Sequence, residues 1–157
     1  MRPTVCEAIL TRDFTTEGSP ALSAEDVANY LAVLVRLAAL DGVDGVETDF
    51  VLRAANCLGV HSEMAEIAGQ FVADPSISSE SLVARIQDRG LRLCLLRDSY
   101  RLAAVDGTFS DEEMGELRHI STALGIDQAT AAGVRSIAMQ ESRLHREFAG
   151  LVRTARA

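Results

Sequence analysis

The sequence contains no tryptophan and no lysine, and only 4% of its 157 residues are aromatic. Hydrophobic residues nevertheless make up 48% of the chain, so its core has to be built from leucine, valine, isoleucine and alanine. Because alanine and leucine favour helices and few residues here favour sheet, the composition predicts an all-α fold. A chain of this length buries roughly 68–70% of its unfolded surface, so a core without covalent cross-links is feasible.

Cysteines and long apolar runs are also scarce. Cys6, Cys57 and Cys94 lie far apart and form no Cys-x-x-Cys motif, so the sequence indicates neither a disulfide framework nor a zinc knuckle. Such free thiols are typical of the reducing cytosol, and we expect a cytoplasmic protein. The longest apolar run extends from Tyr30 to Leu40 and is interrupted by Arg36, so it is too short to span a bilayer.

The net charge of −8 is unevenly distributed along the chain. Residues 1–80 contain 13 acids and 4 arginines, whereas residues 81–157 contain 10 acids and 11 arginines. An acidic chain repels polyanions, so we expect no nucleic-acid partner. The arginines of the second half recur near helical spacing, and we expect them to pair internally with acids. The alternative is an interaction module whose arginine faces bind anionic lipid or nucleic acid, which the net charge disfavours. These arginines are Arg85, Arg89, Arg92, Arg97, Arg101, Arg143, Arg146, Arg153 and Arg156.

One phrase occurs twice in the sequence. Residues 36–42 read Arg-Leu-Ala-Ala-Leu-Asp-Gly, and residues 101–107 repeat six of these seven letters 65 residues later. Both copies close on Leu-Gly followed by Val or Ile, at residues 58–60 and 124–126. A self-match at fixed spacing indicates a duplicated supersecondary unit. We therefore predict a compact single domain with an internal pseudo-twofold axis, repeat one at about 23–73 and repeat two at about 79–153, with residues 1–22 packed on it.

The apolar periodicity predicts about seven or eight helices. The helices containing the repeated phrase, residues 23–40 and 91–105, should pack against each other at the centre. Shorter helices are expected near residues 4–11, 47–58, 62–71, from Ser79 or Ser81 to near Gly90, and 110–124, the last with a capping box of Ser110 and Glu113. Asp127 should cap a final helix or helix pair to about Arg153. Its predicted inward face is Val134, Ile137, Ala138, Leu144, Phe148, Leu151 and Val152.

Acidic side chains crowd the turn after each copy of the phrase. The first turn contains Asp41, Asp44 and Glu47, and the second contains Asp106, Asp111, Glu112 and Glu113. Such oxygen ligands suit calcium, magnesium or manganese. A standard EF-hand is excluded, because Leu102 and Ala104 would occupy its first two ligand positions. The simpler interpretation is that acids at a helix start cap its free N–H groups. The aspartates that end a helix need compensation by an arginine, by an N-cap role or by a cation.

An apolar helix, Ala-x-x-Asp-Gly, an acidic turn and Leu-Gly-(Val/Ile) together resemble the tellurite-resistance TerB family and the related N-terminal region of DjlA. The similarity covers about residues 23–155. It implies an internally duplicated all-α domain, with clustered acids proposed to hold a divalent cation. On matching positions these acids are Asp41 in the first copy and Asp106, Glu112 and Glu113 in the second. The first copy departs from the pattern through an extra Gly45.

The resemblance implies a binding or scaffold protein in cytoplasmic, membrane-associated stress complexes. Its expected partners are other proteins of such a complex at the inner membrane surface, and a homo-oligomer is a further option. The alternative is a helical interaction module that docks a membrane-associated complex without metal. An enzyme is not expected, because His61, His119 and His145 are scattered and none stands at ligand spacing to another His, Cys or acid.

Overall fold

Every regular element is an α-helix in the part of the chain that the computed structural model describes, residues 23–40, 49, 51–55, 76–104 and 109–155. The helices are α1 (Ala24–Ala38), α2 (residues 51–55), α3 (Ser79–Val83), α4 (Arg89–Ala103), α5 (Asp111–Ala123) and α6 (Gln128–Ala155). The all-α prediction is confirmed. Six helices are counted over these residues instead of the seven or eight expected. The predicted helices near residues 4–11 and 62–71, and the segment 1–22, lie outside the described residues.

Helix α1 is buried on almost all sides, as its composition predicts. Its residues 30–35 are consecutively buried, and the Leu31, Val33 and Leu34 side chains have no exposed surface. The helix begins after Ser23, whose hydroxyl oxygen accepts a hydrogen bond from the Asp26 backbone N–H at 3.0 Å. This cap satisfies one of the free donors of the first turn. Over residues 31–35 every side chain is apolar, and this part of the helix has to be central, because each of its sides needs apolar cover.

Helix α4 is the second central element. It packs against α1, α5 and α6, and its contact with α6 is the broadest; α3 packs on both α1 and α5. The predicted pairing of α1 with α4 is therefore confirmed. Both helices contain 15 residues. The internal duplication stays a prediction, because much of the first copy lies outside the described residues.

The boundary between α3 and α4 differs from the prediction. Ser78, instead of Ser79 or Ser81, caps α3, which ends at Val83 and does not continue to Gly90. The Asp88 carboxylate then accepts a hydrogen bond from the Leu91 N–H at 2.7 Å and begins α4 two residues earlier than expected. Gly90 is thus inside the first turn of α4. Since Asp88 is itself a strong N-cap residue, its position decides where the new helix starts.

Helix α5 ends as its Leu-Gly signal predicts. Gly125 adopts φ 67°, and its N–H bonds to the Thr122 carbonyl while the Ile126 N–H bonds to the Ser121 carbonyl. These two bonds form a Schellman motif. The Arg92 guanidinium donates to the Leu124 carbonyl at 3.3 Å, so α4 supplies a cation to the C-terminal end of α5.

Helix α6 is one continuous helix of 28 residues, which excludes the helix-pair alternative. The prediction of its inward face is wrong in part. Ala138 is buried and Val134 packs on the core, but the predicted inward residues Ile137, Leu144, Phe148 and Leu151 are exposed. At 1.5 Å per residue, α6 is about 42 Å long and α4 only about 22 Å, so α4 cannot cover its whole length. Among the helices that the structure describes, none combines the length and apolarity needed to cross a membrane.

Candidate functional site

The acidic turn before α5 is organised by its capping box, which the sequence predicts. The Ser110 hydroxyl oxygen accepts from the Glu113 N–H at 3.1 Å, and the Glu113 carboxylate accepts from the Ser110 N–H at 2.8 Å. The Glu113 side chain is buried at this helix start. A carboxylate in such a reciprocal arrangement stabilises the first turn of the helix. For Glu113 the structure therefore supports the capping interpretation.

The neighbouring carboxylates of the same turn point to solvent. Asp111 and Glu112 are exposed in the first turn of α5, where negative charge complements the helix macrodipole. Asp41, Asp44, Glu47 and Asp106 lie outside the described residues. Over the part of the chain that is described, no three His, Cys, Asp or Glu side chains are grouped to hold a metal ion. A metal site at the acidic turns stays a prediction.

An arginine lies at the C-terminal end of α4, just before the second acidic turn. The Arg146 guanidinium of α6 donates to the Ala104 carbonyl at 2.9 Å. Ala104 is the C-cap of α4, so Arg146 satisfies one of its free carbonyl groups and places a cation at the negative end of the helix dipole. An aspartate at a helix C-terminal end was expected to need an arginine, an N-cap role or a cation. Arg146 is such an arginine at the end of α4.

A buried polar cluster joins the central helices. Asp98 of α4 is 5% exposed, and its carboxylate accepts hydrogen bonds from the Tyr30 hydroxyl at 2.7 Å, the Arg97 Nε at 3.3 Å and the Arg101 Nη1 at 3.4 Å. Arg101 also approaches Glu141 of α6, at 3.7 Å. Both oxygens of the buried carboxylate have donors, which is the condition for tolerating a buried charge. The cluster is therefore a connection between α1, α4 and α6.

The environment of Tyr30 fits this structural role. Burial, and then the adjacent Asp98 carboxylate, raise the pKa of Tyr30 well above its ordinary value. A phenol with a raised pKa keeps its proton and remains a hydrogen-bond donor to the carboxylate. Sequence analysis did not find this pair, although an aspartate within an apolar helix was the available signal. Its partner is 68 residues away in sequence, and single-helix periodicity contains no information about such a contact.

Five of the nine arginines named above have internal partners among the described residues, and three of them, Arg97, Arg101 and Arg143, pair with acids as predicted. Arg92 donates to the Ile86 carbonyl at 2.7 Å in addition to its contact with α5. Arg97, Arg101 and Arg146 are engaged with the groups described above, and Arg143 pairs with Glu147 at 3.2 Å on the surface of α6. Arginines that satisfy carbonyl groups and a buried carboxylate are part of the fold.

Two of the three histidines lie among the described residues, and both are on the surface of the fold. His119 and His145 are exposed on α5 and α6, as predicted, and His61 lies outside the described residues. The nearest acid to His119 is Glu80, whose Oε1 lies 3.9 Å from its Nδ1, with both side chains exposed. Cys94 is half-buried rather than buried. Water-exposed groups at such distances lack the defined geometry that acid–base chemistry needs.

The most unusual surface feature is a row of large apolar side chains on α6, which we call the outer face. Ile137 is 53% exposed, Leu144 59%, Phe148 55% and Leu151 69%. Scattered exposed leucines are ordinary, but a row of four at helical spacing on one element is not. The sequence contains this row, but its periodicity cannot distinguish a covered apolar face from an open one.

The chain matches no protein-family model, no curated protein and no solved structure. The TerB resemblance therefore depends on the repeated phrase, the acidic turns and the closing Leu-Gly pairs.

Proposed function

We propose that the chain is a non-catalytic binding or scaffold protein, an interaction module that docks a helical partner through the outer face of α6. The observation that carries this proposal is the exposure of Ile137, Leu144, Phe148 and Leu151 on one helix. Exposed apolar patches of several hundred Å² on a folded protein mark interaction sites. Asp98 and Glu113, the buried acids of the described residues, are engaged in cross-helix and capping contacts, which supports a non-catalytic role.

Photo-crosslinking in the cells that produce the protein tests this function. Benzoylphenylalanine in place of Phe148 preserves the aromatic character of the outer face, and the same group in place of Ser136, which is exposed on another side of α6, is the matched control. We expect a light-dependent protein adduct from position 148 that is absent from position 136. Equal or no adduct from the two positions contradicts a docking role for this face.

A divalent cation at the acidic turns is the second candidate, and it comes from the TerB resemblance. Asp111 and Glu112 support it, because their carboxylates are exposed in the turn that follows Asp106 in sequence. Oxygen ligands of this kind would hold calcium, magnesium or manganese. The resemblance also supports a cytoplasmic role in a stress-resistance complex, tellurite resistance included, with an internally duplicated fold.

Calorimetric titration of metal-free protein with calcium and with manganese tests this second candidate. Saturable heat that disappears in an Asp111→Asn, Glu112→Gln double variant supports a site in the second turn. The Glu25→Gln variant is the control, since Glu25 is also an exposed acid in the first turn of a helix, α1. If neither ion at millimolar concentration produces heat or a thermal shift, only the capping role of these acids remains.

A further inference from the structure

Helix α6 has a wide apolar surface that the rest of the described fold covers on one side only. Ala131 and Ala138 are buried against the rest of the fold, and Val134 packs on the same core. At 100° per residue, the outer face is centred about 120° around the helix axis from these alanines. Val134 lies between the two, so the outer face is the side of this apolar surface that continues beyond the core contact. Its four large side chains stay exposed beside the helices that the structure describes.

The spacing of the outer face is that of a coiled coil. Alternating steps of four and three residues run from position 137 to position 155, and five of the six positions are apolar; they are Ile137, Glu141, Leu144, Phe148, Leu151 and Ala155. A repeat of 3.5 residues keeps one stripe in contact with another helix over its whole length. The spacing indicates a helix as the occupant of the outer face.

The charges around the stripe decide what kind of helix fits. Arg135, Arg146 and Arg153 lie on the opposite side of α6 from the outer face, at 100° per residue. The acids that flank the outer face are close to arginines, because Glu147 lies 3.2 Å from Arg143 on one side and Glu141 lies 3.7 Å from Arg101 on the other. A face with nearly neutral flanks does not select a strongly charged partner or an anionic membrane. It does allow two identical faces to meet without net repulsion.

We propose that a second copy of this chain occupies the outer face, so that two α6 helices pair through Ile137, Leu144, Phe148 and Leu151. This inference rests on the proposed docking function and adds the identity of the partner. Every molecule supplies a helix of the required chemistry and length, and a twofold interface uses the same patch on both copies.

The area available sets the expected strength of this pairing. The four exposed side chains present on the order of 400 Å² of apolar surface per copy, which is typical of functional patches on monomers. With its flanking residues included, the pair buries about 1,000 Å² in total, at the low end of specific interfaces. We therefore expect a reversible dimer with a dissociation constant in the micromolar range.

Sedimentation equilibrium of the full chain over about 1–200 µM tests the inference, because this range brackets a micromolar dissociation constant. The mass of the wild type should rise from 16.9 kDa toward twice that value. The Leu144→Asp and Leu151→Asp variants should stay at 16.9 kDa, whereas Ser136→Asp, on another side of the helix, should associate like the wild type. Two separate variants and a thermal melt of each distinguish lost pairing from lost folding.

Salt provides an independent check on the driving force. Each copy has a net charge of −8, so added salt screens repulsion between copies, and pairing through an apolar stripe should persist or strengthen.

A wild-type mass of 16.9 kDa at every concentration overturns the inference, as does association of Leu144→Asp equal to that of the wild type. If the wild type stays monomeric and sediments with phosphatidylglycerol vesicles, a lipid surface replaces the second copy. A heterologous adduct from position 148 with a monomeric wild type would leave the docking function intact and exclude only self-pairing.

Discussion

At the scale of single residues, the Tyr30–Asp98 hydrogen bond is the most consequential contact between the central helices. Its two oxygens are 2.7 Å apart and shielded from water. Hydrogen bonds to charged groups contribute more than neutral ones, and leaving a buried charge without its donor adds the penalty of unsatisfied burial. A single hydroxyl thus contributes both to the stability of the α1–α4 pair and to the correct alignment of the two helices.

We predict that Tyr30→Phe lowers the free energy of unfolding at pH 7 by about 1.5–3 kcal/mol, the usual contribution of a hydrogen bond to a charged group. The pH dependence follows from the raised pKa of Tyr30. Because the unfolded chain loses this proton at a lower pH than the folded one, the contribution is complete below the ordinary value of 10.0 and is lost as the pH rises through the folded-state pKa. Urea unfolding of wild type and variant at pH 7 and at alkaline pH measures both effects.

Tyr100→Phe is the control for this prediction, because Tyr100 is the only other tyrosine and burial also raises its pKa. It should reduce the alkaline loss of stability while leaving the donor to Asp98 in place. A Tyr30→Phe protein that is as stable as wild type at pH 7, with the same alkaline slope, would mean that the hydroxyl is not needed at this contact.

At the scale of elements, the helix ends are what sequence patterns predict best. The caps at Ser23, Ser110 and Asp127 and the stop at Gly125 are confirmed, because each depends on residues at most five positions apart. The start of α4 was missed because Asp88 is a competing cap close to the predicted boundary. The outer face of α6 was misassigned because local spacing reports only that a face is apolar. What covers that face depends on the lengths and positions of the other helices.

Gly115 inside α5 and Gly125 just after its C-cap should respond in opposite ways to the same substitution. Gly125→Ala forces a side chain into the left-handed region at φ 67°, and we predict a loss of about 1–2 kcal/mol. Gly115→Ala adds a methyl group where no atom lies within 4 Å, inside the helix, and should gain about 0.5–1 kcal/mol. Urea midpoints at constant slope measure both. A gain from Gly125→Ala would be incompatible with the Schellman end of this helix.

At the scale of the whole molecule, the repeated phrase predicts the central packing correctly. Leu37 and Leu102 occupy the same place in the two copies, and both side chains are inaccessible to solvent. The candidate site could not be predicted to the same extent. Helix α5 uses Glu113 of the second turn for its own cap, and the polar link between α1 and α4 joins Tyr30 to an aspartate 68 residues away. Contacts of that kind form only when helices distant in sequence meet.

The central pair leads to the strongest prediction about folding. In Leu102→Asp, the loss of leucine burial costs about 1.5–3 kcal/mol, and an unpaired carboxylate in that place adds several kcal/mol more. Together these penalties approach the total stability of about 5–15 kcal/mol that is typical of folded domains. We therefore expect Leu102→Asp and Leu37→Asp to abolish cooperative thermal unfolding as followed by circular dichroism. Leu52→Asp, at a leucine that is 45% exposed, should unfold cooperatively near the wild-type temperature. A wild-type transition in Leu102→Asp would mean that α4 does not lie at the centre of this fold.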